Sequence, residues 1–421
     1  MKQFKKLITK CSSLWDQAIT SGGNFLTIAV CAKVLPVAEQ GKLGYVISIY
    51  MAALLINVSA IFQWGAAYAP RKYNNISYKN NLILLQIVIA LLVVFVSTLY
   101  FYFFGKGVSW EPSLVEFLLL GGYLFFHQLA DFDRRSSYFF VNSQRAVLSS
   151  ALLYPIRIAL LLIVSPENIC DALAVLFVST LVSASFTIKF FIQQFSLLSK
   201  KSIVEIKRHL YLSRHLIFTG PLSWCWAYLP IFYLGKEKGP MLAGILLSIR
   251  SIVNIANILV EQLETVVAAK FGKVAKESGK DGVDQNAFLL LKIGSLIWIF
   301  VAFILYYHGA LVIELVLNKS YSPYSDLLLI SWVAYGVLFL ARVYGMRFRF
   351  TRETRVELVG NAIAVLSVIV SANYLIGKYS VYGAAALFVI SATTILSAQF
   401  LMVHFLKKSA NNAQKGFENN E

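Results

Sequence analysis

The sequence predicts an all-α polytopic membrane protein, with twelve transmembrane helices in two parallel six-helix lobes around a central cavity. Composition is the first ground. Of 421 residues, 58% are hydrophobic and only 14% charged, with mean hydropathy +0.67; soluble domains carry about 25% charged residues. The second ground is a run of apolar segments of spanning length, roughly 17 to 25 residues each, from one end of the chain to the other. The third is the placement of Lys and Arg, which alternates between the two membrane sides.

The spans fall at 13–35, 43–66, 82–104, 113–130, 146–164, 172–193, 215–234, 241–265, 287–308, 324–344, 357–376 and 382–406. With the N-terminus cytoplasmic, connections on that side hold 28 of the 38 Lys and Arg and the opposite connections hold 7. Arg157, Arg250 and Lys292 lie inside spans. A missed or invented span would invert this pattern downstream, so the alternation supports the count and places both termini in the cytoplasm. The same bias explains the net charge of +17 without nucleic acid as a partner. Cys11, Cys31, Cys170 and Cys225 share no CxxC spacing and the five histidines form no ligand pair, so neither a metal site nor a disulfide framework is expected.

The first span carries Ser13, Asp16, Gln17, Thr20, Asn24, Thr27 and Cys31 on one stripe at about 100° per residue. Lipid cannot pair a carboxylate or an amide, so the stripe must face protein or a water-filled cavity. We expect this helix to be a cavity wall. Lys2, Lys5, Lys6 and Lys10 resemble a signal-peptide start, but the apolar segment behind them is too long and too polar for cleavage. The stretch 131–145 reads as a connection after the fourth span. Segment 195–214, with Leu197, Leu198, Ile203, Ile206 and Leu210 among basic residues, reads as a surface helix at the inner leaflet. It divides the chain into an N-terminal lobe (1–194), a cytoplasmic interlobe linker (195–214) and a C-terminal lobe with a short tail (215–421). Six spans return the chain to its starting side, so the lobes would be parallel repeats with the substrate path between them.

Span 241–265 shows a second stripe, in which Arg250, Asn254, Asn257, Glu261 and Glu264 recur at helical steps. An unpaired cation near mid-bilayer costs at least about 2.5–3.5 kcal/mol. Arg157, just after Tyr154 and Pro155, is equally deep. Guanidinium stays charged when buried and suits planar phosphate or carboxylate, so Arg157 and Arg250 are candidates for an anionic substrate. Gln17, Asn24, Asn254 and Asn257 complete the candidate cavity lining, and Asp16 and Glu261 are candidates for ion coupling. The alternative for the charges is a structural ion pair of Asp16 with Arg157 or Arg250. Asn57 and Asn361 fit either the cavity or interhelical hydrogen bonds. No Walker A loop, GxSxG or HExxH occurs, so an enzyme is not indicated and no cofactor is expected.

Asp16-Gln17-x-x-x-Ser21-Gly22-Gly23-Asn24-Phe25, then Ala32-Lys33-Val34-Leu35 and Gln40-Gly41-Lys42-Leu43, resembles the N-terminal signature of Wzx-type polysaccharide flippases. These belong to the multidrug/oligosaccharidyl-lipid/polysaccharide exporter superfamily. Leu317–Tyr321 is similar to their segment before the tenth helix, and 374–385 to their last turn, with Gly377 and Ser380 standing where Pro and Gly are usual. The resemblance implies alternating-access transfer of an undecaprenyl-pyrophosphate-linked repeat unit across the bacterial inner membrane for O-antigen, capsule or exopolysaccharide. H+ or Na+ would be the coupling ion. Membrane lipids, and polysaccharide polymerase and chain-length proteins, are the implied partners. The rival readings are a drug/cation antiporter of the same superfamily and a membrane polymerase or ligase.

Overall fold

In the computed structural model the backbone is described for residues 2–62, 76–105, 110–140, 143–194, 200–351 and 355–418. Side chains are described within these segments apart mainly from 2–11, 76–79, 187–203, 212–216, 257–281, 346–351 and 403–418. The described chain forms α1 (Lys2–Val34), α2 (Val37–Asn57, prolonged by a π-helical turn at Val58–Phe62), α3 (Ile76–Phe104), α4 (Leu114–Phe140) and α5 (Ser143–Val164). It continues as α6 (Ile169–Gln194), α7 (Lys200–Lys238), α8 (Pro240–Val316), a 3-10 turn (Lys319–Tyr324), α9 (Asp326–Thr351) and α10 (Arg355–Glu418).

Two of these elements each hold two spans. Pro240, at the start of α8, touches Gly41, and near its end the Leu315 carbonyl accepts a hydrogen bond from Lys33 Nζ at 3.1 Å. A straight helix of 77 residues would hold its ends about 115 Å apart, yet both meet the α1–α2 turn. α8 is therefore two antiparallel arms. α10 breaks at Ser380, whose φ of 54° and ψ of −129° are non-helical. Counting both reversals gives the twelve spans read from the sequence.

Seven described helices are apolar and long enough to cross a membrane on those grounds alone, and one of them, Arg355–Met402, holds two spans. The remaining four are α1, α4, α7 and the first arm of α8. Each carries the polar residues that lower its hydropathy, and each belongs to the bundle by its packing. In the N-terminal half α1 lies on α5, α4 on α6 and α3 on α4; in the C-terminal half α7 lies on α10 and α9 on both α8 and α10. The halves meet where α1 and α2 pack on α8, and α2 and α3 on α7.

Local chemistry sets the ends of these helices. Ser113 and Glu116 form a reciprocal capping box at the start of α4, with N–H to side-chain oxygen distances of 2.7 and 3.3 Å. Asn168 caps α6 by accepting the Asp171 N–H at 3.0 Å. Glu39 accepts the Ile169 N–H at 2.9 Å and pairs with Lys42 at 2.6 Å, fastening α6 to α2. The α7–α8 reversal uses Gly239 at φ 90° with Pro240 opening the next helix.

One sequence expectation changes here. The stretch read as a connection at 131–145 is, through residue 140, the end of α4, and Asp131–Arg134, Ser136 and Ser137 are buried there because the charges neutralise one another. The interlobe segment is helical from Lys200 and runs without a break into the seventh span.

Ser380 holds a backbone conformation that only glycine adopts freely. We expect Ser380→Gly to raise stability by about 1 kcal/mol, readable as a higher melting temperature in detergent; an unchanged or lower value would show that the turn is unstrained.

Candidate functional site

The stripe of α1 faces α5. Asp16 is 1% exposed and accepts from Arg134 Nη1 at 2.8 Å, from the Tyr138 hydroxyl at 2.7 Å and from the Ser150 hydroxyl. Thr20 and Ser150 share a hydrogen bond of 3.0 Å, and Gly23 lies against the Tyr154 ring with no room for a Cβ. Asp16 and Thr20 are thus buried against neighbouring helices of their own lobe rather than lining a cavity, while Asn24 is half-buried. Periodicity identifies a polar face but not what covers it. Gln17 is half-buried and donates to Ser21 Oγ at 3.2 Å.

Asp16 pairs with neither Arg157 nor Arg250. Its partner is Arg134, which also reaches Asp131 at 2.7 Å, while Arg135 reaches Asp131 at 2.7 Å and Arg145 reaches Asp133 at 3.0 Å. Three aspartates and three arginines from α1, α4 and α5 therefore close a neutral network at the N-terminal end of the bundle. Acid and arginine at i,i+3 and i,i+4 in Asp131-Phe132-Asp133-Arg134-Arg135 were the available signal. A dense run of charged residues reads equally well as a loop, which masks that signal.

Arg157 is 1% exposed. Its Nε donates to Ser179 Oγ at 3.2 Å, its guanidinium lies 5.8 and 5.4 Å from the Tyr123 and Tyr154 ring centroids, and its Nη2 has no partner. Among the described residues no carboxylate comes within ion-pairing distance. Cation–π contacts contribute about 0.5–2 kcal/mol, against several kcal/mol for burying a lone charge, so the rings alone do not offset its burial. Arg250 repeats the arrangement in the other half. It is 6% exposed, donates through Nη1 to the Ala227 carbonyl at 2.8 Å, lies 4.2 Å from the Phe388 ring centroid and 5.5 Å from that of Tyr228, and leaves Nε without a partner. The arginines are not brought together: Arg157 sits among α4, α5 and α6, and Arg250 among α7, α8 and α10.

Tyr335 donates to Asn254 Oδ1 at 3.2 Å. Asn361 accepts from Ser223 Oγ at 3.1 Å and Trp226 Nε1 at 2.7 Å, and Asn57 donates to Gln128 Oε1 at 3.2 Å. Both asparagines make the interhelical bonds that were one of the two readings. The side chains of Asn257 and Glu261 lie outside the described residues.

The halves are joined at the end of the bundle away from the N-terminus, here the distal end, and again where a ring nitrogen of His209 on α7 meets the Ala60 carbonyl at 2.8 Å. Gly41 on α2 and Gly244 on α8 bring their backbones together so closely that a Cβ on Gly244 would come within 2.6 Å of the Gly41 nitrogen. Gln40 donates to Ser248 Oγ at 3.2 Å, and Trp224 Nε1 to the Ser48 carbonyl at 2.7 Å.

No protein-family model and no characterised protein matches the chain in sequence. Its fold does match solved structures. An inward-facing multidrug-resistance MATE-family transporter of the MOP superfamily aligns with TM-score 0.71 and 12% identity, over 95% of this chain and 96% of its own. The lipid II flippase MurJ in an inward closed conformation aligns with TM-score 0.69 and 13% identity, over 94% and 87%. An outward-facing MATE-family transporter of the same superfamily aligns with TM-score 0.59 and 14% identity, over 97% of each chain. The chain thus has the all-α, twelve-helix, two-lobe fold of these membrane transporters.

Proposed function

We propose that the protein carries a lipid-linked oligosaccharide, an undecaprenyl-pyrophosphate-linked repeat unit, across the bacterial inner membrane by alternating access. The observation that carries this reading is the state of the charges. The deep arginines have no described carboxylate partner, whereas Asp16, Asp131 and Asp133 are all bound to arginines. Fixed positive charge in a transporter fold favours an anionic diphosphate headgroup. A drug/cation antiporter would instead need a carboxylate available to its cargo.

Arg250, Asn254 and Asn257 on α8, with Gln17 and Asn24 on α1, form the proposed substrate-facing set. Asp16 and Glu261 are the proposed coupling residues for H+ or Na+, and at Asp16 the ion would have to compete with Arg134. Polysaccharide polymerase and chain-length proteins would receive the product, destined for O-antigen, capsule or exopolysaccharide.

Complementation of a flippase-null strain tests the reading. The wild-type chain should restore repeat units to the surface, and Arg250→Glu should abolish them while the protein stays in the membrane. Normal surface polysaccharide in that variant sinks the assignment of Arg250. Failure of the wild type, together with export of cationic drugs, would favour the antiporter.

A further inference from the structure

We infer that the N-terminal half holds a small monovalent inorganic anion, of halide size, between Arg157 and His127. The inference stands apart from the transport reading, because it concerns resident binding inside one lobe.

His127 on α4 is 1% exposed, and neither of its ring nitrogens has a partner. Its ring stacks on Tyr50 with centroids 4.3 Å apart at 16°, and lies 5.4 Å from the Tyr123 ring. Arg157 lies against that same Tyr123 ring and also leaves a guanidinium nitrogen unpartnered. Two almost wholly buried polar side chains, on two helices, thus adjoin one aromatic ring with unused hydrogen-bonding atoms.

The chemistry of the surroundings selects the occupant. Guanidinium offers only donors, neutral imidazole one donor, and the buried Tyr50, Tyr123 and Tyr154 further hydroxyls. The nearby carboxylates are already engaged, Asp131 by Arg134 and Arg135 and Asp16 by Arg134. A metal cation would meet the Arg157 charge with no carboxylate to hold it. Water would satisfy hydrogen bonds but leave that charge uncompensated in a low-dielectric lobe. A small anion does both. The near-complete burial of Arg157 and His127 excludes a lipid diphosphate from this position in the present conformation.

The test uses purified full-length protein in detergent, moved from sodium gluconate to sodium bromide or chloride at constant ionic strength. The expected result is a saturable rise in melting temperature with either halide, and in bromide-soaked crystals an anomalous peak within hydrogen-bonding reach of Arg157 Nη2. Arg157→Gln should weaken the half-saturating concentration about tenfold or more, since charged hydrogen bonds are lost. Arg157→Lys should retain part of the response. If Arg157→Gln does not fold, the bromide peak in the wild type decides. Absence of both the peak and a saturable halide response overturns the inference, as does an unchanged response in a folded Arg157→Gln protein. A response to methylene diphosphonate but not to halide also overturns it, assigning Arg157 to the diphosphate of a substrate.

Discussion

Gly244→Val is expected to part α2 from α8 at the distal end and to expose a seam that the wild-type protein keeps shut. The two helices cross at Gly41 and Gly244 with backbone against backbone: a Cβ on Gly244 would lie 2.6 Å from the Gly41 nitrogen and 2.8 Å from its Cα. A flexible side chain could move aside, but a hydrogen-bonded helix backbone cannot. The contact continues along α2, where Gly44 faces Leu247 and the Tyr45 hydroxyl meets Gly235. Overpacking at such a crossing costs about 1–3 kcal/mol, equivalent to about a 5- to 150-fold shift between two conformations. Because Gly244 touches the opposite half, that cost falls on the distal-closed state. Gln40 and Ser248, both fully buried beside the crossing, supply the readout. With Ser248→Cys as the labelling site, Gly244→Val should raise reactivity toward a membrane-impermeant maleimide about tenfold or more. Gly22→Ala is the control, since a Cβ there meets nothing within 4 Å, and it should leave labelling unchanged. Equal labelling in a folded Gly244→Val protein would show that this seam does not close the distal end.

The span count was legible because charge placement and hydropathy are independent records of the same insertion event. Where a helix carries polar residues for internal pairing, as α1 and α4 do, hydropathy falls and only the charge record remains. The reversal near 380 was legible from Gly377–Ser380, although the strain of Ser380 needed coordinates. The candidate site was only half legible. A stripe of Asp16, Thr20 and Asn24 says that a face is polar, but a neighbouring helix and a water-filled cavity impose the same periodicity. The partner of Asp16 lies 118 residues away, and no local spacing can nominate Arg134 over Arg157 or Arg250. His127 was one of five scattered histidines; that it shares the Tyr123 ring with Arg157 depends on how α4 and α5 pack. The glycine crossing of α2 and α8 was hidden for the same reason, as Gly41 and Gly244 carry no pattern of their own.

Arg134→Gln is expected to be among the most destabilising single changes in the N-terminal half. Arg134 is 6% exposed and joins Asp16 on α1 to Asp131 on its own helix. Removing one partner of a buried pair costs about 3–5 kcal/mol, because the remaining charge is left in a poorly polarisable interior. Asp16 would keep the Tyr138 and Ser150 hydroxyls, which places the loss toward the lower end. Asp16→Asn should cost less, since Arg134 still has Asp131. The double variant should be more stable than the sum of the two losses, with a coupling of about 0.5–3 kcal/mol, measurable from melting or denaturant midpoints. The same pair bears on ion coupling. If H+ or Na+ acts at Asp16, it must displace Arg134, so Arg134→Gln should let transport proceed at a lower ion concentration even as stability falls. A purely structural pair would lose stability and transport together, with no change in the ion concentration that gives half-maximal transport. Opposite movement of stability and apparent ion affinity would separate a coupling site from a clamp that only holds α1 against α4.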